Sequence, residues 1–392
     1  MTSQHTPLEQ PAPALSSRRV ITLGLPSTAD TGAKTFMLTP EAVAMLVDRG
    51  LEVRVERGAG TSIHYDDNRY AAAGARITEH DTTLGSDIVL HPSPMTPRDA
   101  SRLHRGAIVL TLSNPYRHST ATIETYLKLN IISVALDLVS DRAGHRTFAD
   151  VISRVDGRAA VTIAASLLAD PQGTKGILLG GVPGVIPCEV TILGSGMSAI
   201  AAAQAAIGMG AIVHLFDDDT YGLCQAQSIL GAGVITSAMH PRVLGSALRT
   251  ADVIIATPTA VPTLIDSSAI DAMKTGAIIL DLSDTRSKVF GHIRYHDLAT
   301  SPPKQSDSPQ QRTCYTNPGS HVRRTMAMAM SNAFVAMTRD ILTASDGINN
   351  AIHLNPGMQD AVLTMMGRVT NADLARHCGC HAINVRLLIQ FS

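Results

Sequence analysis

The sequence predicts an α/β protein of two domains with parallel sheets, linked by long helices. The first observation is length, because 392 residues are enough for two separate cores. The second is that short apolar strands alternate with helical segments along most of the chain, which is typical of parallel sheets covered by helices. The third is a long helical segment over 148–168, whose apolar residues recur every four positions and which separates two such runs.

The first run of strands and helices starts close to residue 19. Thr39 followed by Pro40 is typical of a helix start, and Arg49-Gly50 is typical of its end. A second helix is predicted around 70–74. Strands are predicted over 19–26, 51–56, 88–90, 107–112 and 131–137.

The second run contains strands predicted over 190–193, 211–216, 253–256 and 278–281. The polar stretch 295–311 contains Ser301-Pro302-Pro303 and is predicted to be a surface loop. Helices are predicted over 325–342 and 361–378. Residues 1–18, rich in Ser, Thr, Pro and Gln, are predicted to form a disordered tail.

The composition excludes several classes of partner. Charged residues make up 17% of the chain and the net charge is −1, so neither nucleic acid nor an anionic membrane is an expected partner. No apolar run approaches the 18 residues or so that a membrane span needs. Five scattered cysteines do not form a disulfide framework, so the predicted location is the reducing cytoplasm.

The most informative motif is a Gly-x-Gly-x-x-Ala turn at Gly194, Gly196 and Ala199, between an apolar strand and an alanine-rich helix. Gly194 permits a sharp turn, Gly196 allows the backbone to approach a pyrophosphate, and the first helical amides face the phosphates. Asp217 follows the next strand, where a carboxylate would accept hydrogen bonds from ribose hydroxyls and repel a 2′-phosphate. The motif therefore predicts NAD rather than NADP, although a turn that has lost its ligand is the alternative. The predicted cofactor-binding residues here are Gly194, Ser195, Gly196, Met197, Ser198 and Asp217.

The order of motifs resembles the alanine dehydrogenase family, which shares its fold with the nicotinamide-binding subunit of transhydrogenase. The matching segments cover about residues 19–380, and 181–185, Gly-Val-Pro-Gly-Val, is the most specific of them. The resemblance implies two Rossmann-like domains around a cleft, in which 19–147 and 326–392 form the substrate domain and 148–325 form the NAD-binding domain. It also implies a homo-oligomer, a small-molecule substrate, and a place for Ser153 near the nicotinamide. The other matching segments are 38–43, 57–60, 72–75, 176–185 and 194–196.

The same resemblance places the family's four catalytic positions on residues that differ from the family's own. The arginine that holds the substrate carboxylate falls on Thr35, the lysine on Pro92, and the histidine acid/base on Asn114. The aspartate falls on Thr285, or on Asp284 after a shift of one residue. Reduction of an imine formed from a 2-oxo acid needs a cation for the carboxylate and a group that titrates near neutral pH, and asparagine does not titrate.

Replacement groups lie close to the changed positions in the sequence. His91 adjoins Pro92 and Lys34 adjoins Thr35, so His91 is a candidate acid/base and Lys34 a candidate anion clamp. Adjacent residues of an extended segment point to opposite faces, which is the alternative interpretation of both. In the family, the loops that carry Arg286, Lys288, Arg323 and Arg324 border the cleft. The candidate catalytic residues are His91, Asn114 and Asp284.

Two functions follow from these observations. The first is an NAD(H)-dependent oxidoreductase that resembles alanine dehydrogenase and acts on an amino acid, a 2-oxo acid or another altered substrate. The alternative is a non-catalytic NAD(H)-binding protein with a scaffold or sensing role. No metal is predicted, because the run His377-Cys378-Gly379-Cys380-His381 lacks the second ligand pair of a structural zinc site.

Overall fold

A computed structural model describes residues 20–27, 38–112, 118–170, 175–258, 265–283, 288–303, 312–342, 352–353 and 355–390. Its strands form two sheets, one of eight and one of seven strands, and helices pack on them. The predicted α/β class with two largely parallel sheets is therefore confirmed. None of the helices in these ranges is long and apolar enough to cross a membrane.

The first sheet contains the strands of the first run and two strands from the C-terminal part of the chain. Its order is β3-β2-β1-β4-β5-β6-β14-β15, and the six strands from the first run are all parallel. The strands are β1 (Thr22–Leu25), β2 (Glu52–Glu56), β3 (Arg76–Thr78), β4 (Ile88–Leu90), β5 (Ile108–Thr111), β6 (Ile132–Ala135), β14 (Val362–Met365) and β15 (Arg368–Val369).

The helices of this domain begin at the capping residues that the sequence supplies. Thr39 caps α1, whose first residue is Pro40, and its side chain accepts a hydrogen bond from the amide of Ala42 at 3.5 Å. Asp66, Thr96 and Ser119 cap later helices in the same way. The helices are α1 (Pro40–Asp48), α2 (Asp67–Ala72), α3 (His80–Leu84), α4 (Pro97–Ala100) and α5 (Thr120–Lys128).

The helix predicted over 361–378 is wrong for most of its length. Residues 362–365 and 368–369 form an antiparallel hairpin, and β14 also pairs antiparallel with β6. Met366 and Gly367 both have positive φ, as two-residue hairpin turns require. All four β14 residues are buried, so pairing and packing outweigh helical propensity. Only α13 (Ala372–Cys378) is helical there, between α12 (Pro356–Gln359) and α14 (Val385–Gln390).

The second sheet is entirely parallel, with the order β9-β8-β7-β10-β11-β13-β12. The loop predicted over 295–311 is wrong at its start, because β12 begins at Arg294 and pairs with β13. Neither β12 nor β13 was predicted from the sequence. The strands are β7 (Glu189–Leu193), β8 (Ile212–Phe216), β9 (Val234–Ser237), β10 (Val253–Ala256), β11 (Ile278–Asp281), β12 (Arg294–Asp297) and β13 (Thr313–Thr316). Its helices are α7 (Met197–Gly208), α8 (Thr220–Leu230), α9 (Pro241–Thr250) and α10 (Ser267–Asp271).

Two long helices join the halves of the molecule. The helix α6 (Thr147–Ala169) leads from the first sheet to the second, and α11 (Arg323–Leu342) leads back to the first. Met326, Met330 and Phe334 of α11 belong to the core of the first sheet, as expected for a returning helix. The domain boundaries at 148 and 326 lie inside these two helices and stay predictions.

Candidate functional site

The Gly-x-Gly-x-x-Ala turn lies at the carboxyl end of β7, in the middle of the second sheet. Gly194 has a φ of 101°, which only glycine adopts at little cost, and its amide donates to the carbonyl of Phe216 at 2.6 Å. Gly196 is the N-cap of α7, and it has no side chain to cover the helix start. The predicted strand, turn and helix are present, with the first amides of α7 at the edge of the sheet where ligands bind in such folds.

Asp217 follows β8 and lies beside this turn. It is only 6% exposed, and its Oδ2 accepts a hydrogen bond from the hydroxyl of Ser195 at 2.7 Å. Its Oδ1 accepts one from the amide of Asp219 at 3.0 Å. A carboxylate oxygen can accept two hydrogen bonds, so both oxygens retain acceptor capacity for a ligand. The structure thus brings Ser195 and Asp217 together, across 22 residues of sequence.

The helix start is held close to α6 by a glycine. A Cβ built on Gly157 of α6 would lie 2.3 Å from the carbonyl oxygen of Ser198, so only glycine allows this approach. Ser153 is half-buried on α6, about one helical turn before Gly157. The interhelical contact therefore places Ser153 on the helix that packs against the turn, whereas a contact of Ser153 with a ligand stays a prediction.

In the first sheet, His91 lies at the carboxyl end of β4. His91 is 2% exposed, and its Nδ1 pairs with the carbonyl oxygen of Ser93. Burial lowers its pKa, so the ring is neutral at pH 7. The catalytic role predicted for it stays a prediction. Thr35, Lys34, Asn114, Asp284, Thr285 and Arg286 lie outside the described residues.

Comparison with known proteins places the chain in a family. A family model described as "Alanine dehydrogenase/PNT, C-terminal domain" matches residues 160–372, and one described as "Alanine dehydrogenase/PNT, N-terminal domain" matches residues 31–153. The chain belongs to the alanine dehydrogenase/PNT family. The predicted resemblance is thereby confirmed.

Relatives and solved structures agree with this assignment. Alanine dehydrogenase of Bacillus subtilis is 29% identical over 381 residues, covering 94% of this chain and 97% of the relative. Alanine dehydrogenase of Mycobacterium tuberculosis is 28% identical, and the match covers 91% of this chain and 96% of the relative. A solved L-alanine dehydrogenase superposes with a TM-score of 0.80 at 21% identity, covering 91% of this chain and 99% of that one. A solved structure of a transhydrogenase from Sinorhizobium meliloti superposes with a TM-score of 0.73 at 19% sequence identity. The match covers 90% of this chain and 99% of that one.

Within this family fold, a cluster of histidines lies beside His91. His118 is 1% exposed, and neither of its ring nitrogens has a hydrogen-bond partner in the structure. The Nε2 of His377, on α13, lies 3.1 Å from the carbonyl oxygen of His118. Burial, and then electrostatic repulsion between the His118 ring and the rings of His377 and His91 when these are protonated, lower the pKa of His118 to about 4. The sequence gives no local signal for His118, because its burial depends on the C-terminal helix that returns to this domain.

Asp156 is a second titratable group that was not predicted from the sequence. It lies on α6 three residues after Ser153, and its Oδ1 accepts a hydrogen bond from the amide of Gly319 at 3.1 Å. Burial raises its pKa to about 7, and that hydrogen bond lowers it by less. A carboxyl that titrates near neutral pH can both donate and accept a proton under physiological conditions. The sequence carries little signal for this role, because the same helix also contains the charged residues Asp150, Arg154 and Arg158.

Two other sets of polar residues have structural explanations. Asp281 accepts hydrogen bonds from Ser283, Val289 and Tyr295, so the described part of the loop after β11 already satisfies this carboxylate. Among the described residues, no group of three or more His, Cys, Asp or Glu side chains is arranged to hold a metal ion, and this includes the run 377–381.

Proposed function

We propose that the chain is an NAD(H)-dependent oxidoreductase that acts on an amino acid or 2-oxo acid other than alanine and pyruvate. The observation that carries the proposal is the hydrogen bond between Ser195 and Asp217 beside the turn at Gly194. It fixes a carboxylate at the end of β8, where the ribose of a dinucleotide lies in Rossmann folds. The family assignment supports the same cofactor.

The residues present fit this cofactor. Gly194 forms the sharp turn, and the glycine N-cap leaves the start of α7 open to a pyrophosphate. Asp217 would accept the ribose hydroxyls, and its negative charge would repel a 2′-phosphate, which favours NAD over NADP. When bound, the nicotinamide supplies the hydride acceptor or donor for the reaction. Ser153, three residues before the carboxyl of Asp156, is proposed to face it.

The substrate is expected to differ because the family's catalytic positions carry other residues. Transfer of a hydride to or from an amino acid needs a group that moves a proton at neutral pH. His91, Asn114 and Asp284 stay the candidates from the sequence. Asp156 joins them, since its pKa of about 7 suits such a transfer and it lies on the same helix as Ser153.

The cofactor proposal is tested by titrating the protein with NADH and with NADPH. The chain has no tryptophan, so the emission of the bound nicotinamide is measured without excitation transfer from indole. Asp217→Asn is expected to weaken NADH binding by about tenfold, because the contact with the ribose hydroxyls loses its charge. NADPH binding is expected to weaken by less, because the substitution also removes the negative charge that repels the 2′-phosphate. Asp218→Asn is the matched control, since that carboxylate is exposed and accepts from the amide of Met239. Equal NADH affinity of wild type and Asp217→Asn would contradict the proposal.

A second function is favoured by the burial of His91. A histidine that is 2% exposed and paired with the Ser93 carbonyl is poorly placed to exchange protons with a substrate. A non-catalytic NAD(H)-binding protein would retain the Gly194 turn without an accessible acid/base. The two functions differ in one measurement: NADH oxidation with ammonium and a panel of 2-oxo acids. Turnover that His91→Ala or Asp156→Asn abolishes supports the enzyme, and NADH binding without turnover across the panel supports the alternative.

The proposal extends to the cell and the assembly. All five cysteines are free, which suits a reducing compartment, and we propose a cytoplasmic homo-oligomer. Light scattering of the purified chain measures the assembly directly.

A further inference from the structure

A cavity with both polar and apolar lining lies between the two domains, and none of the residues of the Gly194 turn line it. Its volume is about 480 Å³, within the range of small-molecule sites. Three segments form it: the turn after β2, the loop after β12, and the turn after β13 that leads into α11. All three follow the carboxyl ends of parallel strands, which is where open α/β sheets bind their ligands. The lining residues are Thr61, Ser62, His64, 298–302 and 320–325.

The lining of this cavity carries positive charge and hydroxyl groups. Arg323 and Arg324 contribute two guanidinium groups, His64 and His321 two imidazoles, and the described lining residues include no carboxylate. Both arginines lie in the first turn of α11, a helix of 20 residues that has no acidic side chain there. Cations are unfavourable at a helix N-terminus, because the helix dipole already places positive charge at that end. An anion in the cavity would relieve this repulsion.

The imidazole of His321 responds to the same positive potential. Partial desolvation, and then the charge of Arg323, lower its pKa; a hydrogen bond with the backbone of Leu298 raises it by less, and the neighbouring His296 lowers it further. At neutral pH the ring is therefore uncharged. The two arginines then supply most of the charge of the cavity.

Contacts from the first domain orient Arg324. Its guanidinium lies over the ring of Tyr65, 4.7 Å from the centroid, and donates to the Tyr65 hydroxyl at 3.3 Å. Arg323 is held by its Nε, which donates to the carbonyl of Ser320 at 2.8 Å. Stacking and single hydrogen bonds use few of the five donors of each guanidinium, so both groups retain donors for an oxyanion.

The surrounding loops are held in specific conformations. His64 has a φ of 61°, which is uncommon for a residue with a side chain and is frequently found at functional sites. The loop at Ser301 and Pro302 is fixed by hydrogen bonds that the Nε2–H of His296 donates to their carbonyl oxygens, at 3.3 and 3.0 Å. The cavity is thus formed before any ligand enters, which lowers the entropic cost of binding.

We propose that this cavity binds the oxyanion group of a small molecule, either a phosphate or a carboxylate, through Arg323 and Arg324. Paired guanidinium groups with surrounding hydroxyls are the chemistry that recognises such groups. Because the two domains both contribute residues, a bound anion would also favour the arrangement in which they are close together. The inference is independent of the proposed function, since it requires neither NAD binding nor turnover.

The test is calorimetric titration of the full chain with inorganic phosphate and, separately, with succinate, at an ionic strength kept constant with sodium chloride. Saturable binding of one or both is expected, and the tighter of the two identifies the phosphate or the carboxylate class. Arg324→Gln is expected to weaken that binding by about tenfold, the loss of one charge-assisted contact. Arg323→Gln is expected to act in the same direction.

Arg69→Gln is the matched control. Arg69 lies over the same Tyr65 ring at 5.7 Å but does not line the cavity, so this variant is expected to bind phosphate or succinate as the wild type does. Thermal unfolding of each variant shows whether the chain still folds. If the Arg324→Gln variant does not fold, Ser320→Ala is a milder change in the same cavity. Absence of saturable binding by wild type, or equal binding by wild type and both arginine variants, would overturn the proposal.

Discussion

The carboxyl ends of the two sheets differ in how their polar groups are arranged. At β7 and β8, the Ser195 hydroxyl and the Asp217 carboxylate are paired, beside a helix start that carries no side-chain cap. At β4 and β5, His91 and His118 are buried, and the ring of His118 has no hydrogen-bond partner. The polar groups of the first arrangement are paired with each other, whereas the second contains buried titratable groups, one of them without a hydrogen-bond partner among the described residues. In this chain, cofactor binding and substrate chemistry therefore have to be tested separately.

The largest expected effect concerns the close contact between α6 and α7. In Gly157→Ala, the new methyl group would meet the carbonyl of Ser198 at 2.3 Å, so α6 and α7 must separate. The variant is expected to lose about 3 kcal/mol of unfolding free energy, measured by urea denaturation. Gly208→Ala is the control, because its Cβ would meet no atom within 4 Å. Equal stability of wild type and Gly157→Ala would show that the helices are not in close contact.

The next effect is the pH dependence caused by Asp156. Its pKa in the folded state is raised to about 7, so its contribution to stability is fully present below its unfolded pKa and is lost as the pH rises through 7. Asp156→Asn keeps an acceptor for the Gly319 amide and carries no charge. At pH 8 the variant is expected to exceed wild type by on the order of 1–3 kcal/mol, and near pH 4 the difference should vanish. Parallel stability curves across this range would contradict the raised pKa.

His118 is expected to produce the opposite pH dependence. Its pKa in the folded state is lowered to about 4, so wild type loses stability as the pH falls from about 6.5 toward 4. His118→Leu removes the titration and the unpaired ring nitrogens, and should gain about 1 kcal/mol at pH 7. Thermal unfolding at both pH values checks this. A loss of stability at pH 7 would mean that the ring has a partner in solution.

The smallest effect concerns the cofactor side. Ser195→Ala removes the 2.7 Å hydrogen bond to Asp217 and leaves that carboxylate less firmly oriented. NADH affinity is expected to fall about fivefold, corresponding to roughly 1 kcal/mol. Ser228→Ala is the control, since its hydroxyl is exposed on α8 and donates to the carbonyl of Cys224. An unchanged affinity would separate the Ser195–Asp217 bond from cofactor binding.

The sequence predicted the strands at the centre of both sheets because these are continuous apolar runs. It missed β12, whose residues Arg294-Tyr295-His296-Asp297 are polar because the strand lies at a sheet edge with one partner. It misassigned β14, where burial against β6 overrides a helical pattern. The Gly194 turn was predictable since its geometry is local. Asp156 and His118 were not, because their protonation depends on segments far away in the sequence.

The position of β14 has a consequence for biosynthesis. The first sheet combines strands from residues 22–135 with a hairpin at 362–369, whereas the second sheet uses the continuous stretch 189–316. A ribosome therefore releases every strand of the second sheet before the hairpin that completes the first. After β6 has been translated, its edge stays unpaired until more than two hundred further residues have been added and β14 is available. We expect the domain with the second sheet to fold first. We expect chaperones to bind the N-terminal segment of the first sheet, which is translated earlier but completed later.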